Sequence, residues 1–186
     1  TTTLTNVGTV CLRQYNASQN ILVDGIRVTT RWEDLPLTFS GTGEWTDAAR
    51  WNTGAVPVST QGVYIDGDAT ISSNVEVVGM TINAEKSLTV NAGKQLTVSG
   101  TATNNGTIKL LSNGTDGTAT LVGNVGGNAE IQQNLNLVRN WYMSSPVSSA
   151  SVTLDGSATA TYYTHSESTA TTETDGWSSA LTSFPT

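Results

Sequence analysis

An apolar-Thr-apolar triplet recurs every eight residues, at Met80-Thr81-Ile82, Leu88-Thr89-Val90 and Leu96-Thr97-Val98. Two of the links repeat as well: Asn83-Ala84-Glu85-Lys86 answers to Asn91-Ala92-Gly93-Lys94. Successive side chains of an extended chain point to opposite faces, so the outer residues of each triplet share one face and the Thr takes the other. A strand this short cannot stand alone, and a hairpin of such strands is marginal in water. The triplets must therefore stack on something. Short strands separated by bends, with a constant inward face, predict a parallel β-helix or β-solenoid in which each coil lays its strands beside those of the coil before. Three sides of this length give a coil of about 24 residues.

The flanking sequence keeps the rhythm. Val63-Tyr64-Ile65, Ala69-Thr70-Ile71 and Val75-Glu76-Val77 precede the triplets, and Thr107-Ile108-Lys109-Leu110, Ala119-Thr120-Leu121-Val122 and Ala129-Glu130-Ile131 follow them. This predicts about three coils between Gly62 and Gln133 by the same repeat logic. The bends are rich in Asn and Gly, which tolerate the positive φ of sharp corners. Asn105-Gly106 and Asn113-Gly114 are also two-residue hairpin signals, so an antiparallel meander or β-sandwich is the competing arrangement. Both are all-β.

Thr, Ser, Asn and Gly dominate the polar residues and charged residues make up only 12%, a composition that favours strands and turns over helix. The net charge of −7 and the absence of a Lys/Arg cluster speak against nucleic acid, whose phosphates need a concentrated positive surface. No apolar run approaches the roughly 20 residues of a membrane span. The single cysteine, Cys11, allows no internal disulfide and reads as a strand residue. The single histidine, His165, is too distant in sequence to suggest a Cys/His pair.

The chain starts at Thr1 without a charged leader or apolar signal core, and is expected to be processed or part of a longer polypeptide. Residues 1–40 read as an N-terminal β cap. Its best feature is the hairpin Ile21-Leu22-Val23-Asp24-Gly25-Ile26-Arg27-Val28, with Asp-Gly at the turn. Residues 41–147 read as the solenoid. Residues 148–186 read as a partial β segment, completed by another chain or by further sequence, with strands suggested at Ser148–Leu154, Ala158–His165 and Trp177–Phe184 around a polar loop from Ser166 to Asp175; this end is expected to be the less ordered.

The stretch that leads into the coils contains Gly43, Trp45, Trp51, Asn52, Gly54, Pro57, Val63 and Ile65 in the pattern Gly-x-Trp-(five residues)-Trp-Asn-x-Gly-x-x-Pro, followed by a Val-x-Ile strand. It resembles the opening of the large exported β-solenoid surface proteins of the Bacteroidota. The stretches Gly127-Asn128-Ala129-Glu130-Ile131 and Asn140-Trp141-Tyr142-Met143-Ser144-Ser145-Pro146-Val147 are similar to the closing segment of those proteins. The resemblance covers roughly residues 39–147 and implies an extracellular or cell-surface protein exported by a Gram-negative bacterium through type IX secretion. It further implies an adhesin-like protein or a subunit of a surface filament or appendage.

Chemistry-bearing constellations are sparse. Asp66-Gly67-Asp68 and Asn113-Gly114-Thr115-Asp116-Gly117 could offer oxygens to calcium, but calcium needs six to eight of them and Asp-Gly pairs occur wherever β chains turn. No cofactor is expected otherwise. A polysaccharide-active β-helix enzyme needs clustered carboxylates in a flank groove, whereas Glu76, Glu85, Lys86, Lys94, Lys109 and Glu130 are scattered. No catalytic residue is assigned and the chain is expected not to be an enzyme. Trp45 and Trp51 read as a plug for the solenoid mouth rather than a platform for sugar rings, while Trp177 and Tyr162-Tyr163 are expected to be partly exposed. The expected partners are copies of the chain or the rest of a larger polypeptide, with cell-surface glycans or other cells as targets. A carbohydrate-binding module is the alternative function.

Overall fold

The computed structural model describes residues 36–135, 137, 141–143, 151–154, 161–166, 168–172 and 175–178. The Ile21–Val28 hairpin and Cys11 lie outside the described residues. Two compact units divide at Asn134/Leu135.

The first unit is a parallel β-solenoid of about three coils. Its first ladder strand, β1 (Leu37–Glu44), runs parallel to β2 (Gly62–Ile71) along nearly the whole length of both. β2 then serves two faces of the next coil. Its first half pairs with β4 (Gly79–Ile82) and its second half with β5 (Ser87–Val90). The first face continues to β7 (Ala102–Asn104), and the second to β8 (Thr107–Leu110) and β12 (Asn128–Ile131). A third face stacks β3 (Val75–Val77), β6 (Gln95–Val98) and β11 (Thr120–Val122). Every pairing on the three faces is parallel, which removes the antiparallel meander as the overall arrangement.

Val63-Tyr64-Ile65 and Ala69-Thr70-Ile71 are one strand rather than two. The chain turns a corner inside β2 without breaking the in-out alternation, because the inward position at the corner is Gly67, paired with Gly41 of β1. A Cβ on Gly67 would lie 2.1 Å from the Gly41 carbonyl oxygen, so no side chain fits between the two coils there.

Register stacks the inward residues into columns. Val63 lies on Met80, Ile65 on Ile82, Ala69 on Leu88 and Ile108, and Ile71 on Val90 and Leu110. On the third face Leu96 and Val98 lie on Val75 and Val77. Ile82, Leu88, Val90, Leu96 and Val98 are buried as the triplets predict, and Thr81, Thr89 and Thr97 are half-buried on the outer rows.

The repeated Asn-Ala-x-Lys links form two equivalent corners. Lys86 and Lys94 each donate a backbone hydrogen bond to the Asn three residues earlier. Asn83 and Asn91 donate back to Ile65 and Ile71, and the Lys86 and Lys94 carbonyls accept from Thr107 and Thr120 of the next coil. The third residue of each turn has positive φ, 62° at Glu85 and 70° at Gly93. The two hairpin signals part company. Asn105-Gly106 is a solenoid corner, whereas Asn113-Gly114 closes a true antiparallel hairpin between β9 (Ser112–Asn113) and β10 (Gly117–Thr118). That hairpin lies between β8 and β11 and overhangs the second corner: a Cβ on Gly93 would meet the Asp116 carbonyl oxygen at 2.5 Å.

Between β1 and β2 the chain folds back over the first coil. Trp45 and Trp51 are 2% and 3% exposed, edge-on to each other at 4.8 Å, and Phe39 packs against Trp51 at 5.3 Å. The Trp51 indole N–H donates to the Trp45 carbonyl at 2.8 Å, so its polar edge is satisfied inside the cluster. These rings form the plug expected from the sequence and offer no platform to a ligand. Asn52 closes the strand edge beside it, accepting from the Thr38 N–H through its side chain and donating to the Thr38 carbonyl through its backbone. Unpaired edges invite association, and at Thr38 this one is satisfied from within the chain.

Candidate functional site

Among the described residues, the second unit carries a cluster of exposed aromatic rings, whereas Tyr64 on β2 is exposed without an aromatic contact of this kind. His165 and Trp177 face each other across an isolated antiparallel bridge, with ring centroids 4.7 Å apart and planes tilted by 55°. Tyr142 approaches the same indole at 5.8 Å and 46°. Tyr142 is 83% and Trp177 43% exposed. Rings left in water forgo the burial that Trp45 and Trp51 obtain, so this trio marks a surface rather than a core.

A short hydrogen-bonded loop holds the two facing rings. Ser178 donates to Thr164 and Ser166 donates to Gly176 across the base of the loop. Inside it, the Asp175 carboxylate accepts from the backbone N–H groups of Thr171 and Thr172 at 2.7 and 2.8 Å, and from the Thr171 hydroxyl. The Thr171 hydroxyl, followed by the Thr172 backbone, lowers the Asp175 pKa from 3.8 to about 2, because these donors favour the charged form. His165 Nε2 lies 3.2 Å from the Asp175 carbonyl oxygen, which orients the ring for its contact with Trp177. Gly176 has φ of 87°, and a Cβ there would sit 2.8 Å from the Ala170 side chain. Among the described residues of this polar segment, Thr171 and Thr172 are thus tied to Asp175. Low apolar content gives no burial energy, but the loop instead uses Asp and Thr groups that satisfy backbone donors locally.

Among the described parts of residues 148–186, Ser151–Leu154 forms no strand and His165 and Trp177 form a bridge rather than a ladder. Much of the Ala158–His165 and Trp177–Phe184 stretches lies outside the described residues.

The sequence-level calcium candidates are engaged in protein contacts. Asp66 accepts from the Asn83 side-chain amide at 3.1 Å, and Asp68 accepts from both the backbone N–H and the hydroxyl of Ser87 at 3.0 and 2.8 Å. The other corner of the same coil does likewise: Asn91 donates to the Ser72 hydroxyl and the Gln95 N–H donates to Asn74. Each corner thus clamps the next coil at residues 17 to 21 further on. Asn113 accepts from the Thr115 and Asp116 N–H groups, and its amide donates to the Asp116 carboxylate. The geometry explains these carboxylates as corner fastenings. Of the scattered charges, Lys109 and Glu130 meet across adjacent coils at 3.6 Å, an exposed pair worth little to stability.

Residues 38–186 match the family described as a domain of unknown function (DUF8693). The chain belongs to that family. No curated protein and no solved structure matches it. The matched stretch begins within β1, so the plug, the coils and the aromatic loop all fall inside the family's domain. Among the described residues no group of His, Cys, Asp or Glu is placed to hold a metal ion, and no helix is long and apolar enough to cross a membrane.

The sequence predicts partial exposure of Trp177 and of Tyr162-Tyr163, and Trp177 and Tyr163 are exposed while Tyr162 is half-buried, but it does not foretell the meeting of Tyr142, His165 and Trp177. One local signal was present: an Asp three and four residues after two Thr residues is a side-chain cap for a turn.

Proposed function

We propose that the chain is a non-catalytic extracellular surface protein, adhesin-like or a subunit of a surface appendage, in which the solenoid is the scaffold and the second unit carries the binding surface. One observation carries this reading. Among the described residues, Trp45 and Trp51 are sealed in a plug, whereas Tyr142, His165 and Trp177 meet at an exposed place where a hydrogen-bonded loop holds His165 and Trp177. Two further features support it. Asp66 and Asp68, the acids nearest each other on the flank, bind the next coil rather than standing free for acid-base chemistry. The outer rows of Thr and Ser suit an exposed, hydrogen-bonding surface.

Export from a Gram-negative cell by type IX secretion belongs to the same proposal and rests on the sequence resemblance to Bacteroidota surface proteins. Brief protease treatment of intact producing cells tests location. Loss of the protein from untreated-permeability cells supports it, and protection until the cells are lysed refutes it. Incubation of the purified chain with polysaccharides tests the catalytic half: reproducible turnover that disappears on changing a single carboxylate would refute a non-catalytic role.

A further inference from the structure

We infer that Tyr142, His165 and Trp177 form a binding site for a neutral saccharide. The inference rests on the reading of this chain as a surface-binding protein and names the ligand class of that site.

Three properties of the trio select the ligand. The rings are tilted by 46° and 55° about the central indole instead of collapsing into a stack, so Tyr142 keeps most of its surface in water. Such rings present apolar faces beside polar edges, namely the Tyr hydroxyl and the indole N–H. The complement is a ligand with C–H faces ringed by hydroxyls, which is a pyranose. The second property is charge. Asp175 is held ionised by Thr171 and Thr172, the side chains bordering the bridge, Thr164, Ser166 and Ser178, are neutral hydroxyls, and no described residue of the second unit is a Lys or Arg that could pair with an anionic sugar. A polyanionic glycan would also meet a chain of net charge −7, which disfavours it by simple repulsion. The third property is preorganisation. The loop bonds around Asp175 and the His165 contact to the Asp175 carbonyl hold the His165 and Trp177 rings before any ligand arrives, which lowers the ordering cost of association at these two rings.

The test is an NMR titration of the isotope-labelled full chain with neutral oligosaccharides: cellohexaose, xylohexaose, mannohexaose and chitohexaose, each to about 10 mM, the range of weak single-site binding. Trp177→Phe assigns the indole signal. The expected result is a saturable shift of the Trp177 indole N–H with at least one of these sugars. Tyr142→Ala, at a position exposed enough to leave the fold intact, should weaken that binding about two- to tenfold, the worth of one ring contact. Trp177→Ala should abolish it, and Tyr142→Ala remains decisive if Trp177→Ala disturbs the loop. The site assignment is overturned by silence of the indole signal with all four sugars, or by undiminished binding to Tyr142→Ala. It is overturned too if choline chloride shifts the signal while the sugars do not, since that marks a cation site. Breakdown of a sugar during the titration would instead refute the non-catalytic reading.

Discussion

Leu88→Ala should lower the stability of the solenoid by about 3 kcal/mol, within the range of roughly 2–5 kcal/mol for large-to-small changes at well-packed sites. Leu88 is 0% exposed and lies in the central coil, stacked between Ala69 on one side and Ile108 on the other. Coils on both sides hold the backbone in place, so the walls cannot collapse into the space vacated. For a unit that runs to Asn134, between the size classes with about 4–8 °C and about 2–4 °C per kcal/mol, 1 kcal/mol corresponds to about 3–5 °C in Tm, which puts the expected drop at about 9–15 °C. Leu88→Asp is harsher. It loses the leucine packing and leaves a carboxyl group without a partner, a combined cost comparable to the whole stability of about 5–15 kcal/mol. The control is next door. Thr89 points to the opposite face, paired in register with Thr70 and Lys109, so Thr89→Asp should change stability by no more than about 0.5 kcal/mol. Urea unfolding followed by circular dichroism measures all three variants. Equal losses for Leu88→Asp and Thr89→Asp would refute the assignment of inside and outside on which the fold argument depends.

Glu85→Gly should be neutral or stabilising by up to about 1 kcal/mol, because it relieves a left-handed residue at a cost in chain entropy, whereas Gly93→Glu should destabilise because Asp116 overhangs that corner; paired urea curves decide between this and equivalent corners. Trp51→Ala should remove about 3–5 kcal/mol by opening the plug and leaving the Trp45 carbonyl without its indole donor, and an unchanged urea midpoint would show that the rings do not seal the coil. Asp175 has a folded pKa near 2, below its ordinary 3.8, so its contribution to holding the loop is complete above about pH 4 and disappears as pH falls through about 2. The Thr171 and Thr172 amide proton shifts should follow that titration, and invariance down to pH 2 would show that the carboxylate does not hold them.

The sequence alone determined the elements that depend on neighbours along the chain. The Thr triplets placed Ile82, Leu88, Val90, Leu96 and Val98 inside because alternation in a strand is a property of the backbone. The Asn-Ala-x-Lys links likewise became matching corners, since a turn closes over four residues. Tertiary structure decided what depends on which coil lies alongside. Asn105-Gly106 and Asn113-Gly114 carry the same turn chemistry, yet one is a parallel corner and the other a hairpin. The difference lies in what the following strand pairs with: β8 lies parallel to β5 of the preceding coil and opens with the Thr107 N–H donating to the Lys86 carbonyl, whereas β10 turns back onto β9. Gly67 looks like half of an Asp-Gly metal motif until Gly41 is brought against it, and Asp66 and Asp68 acquire their roles only from Asn83 and Ser87. Tyr142, His165 and Trp177 are separated by stretches without periodicity, so no local rule brings them together. The meeting of His165 and Trp177 follows from the bridge across the loop and the side-chain bonds of Asp175, and that of Tyr142 from its ring contact with Trp177, all of which exist only once the chain has folded.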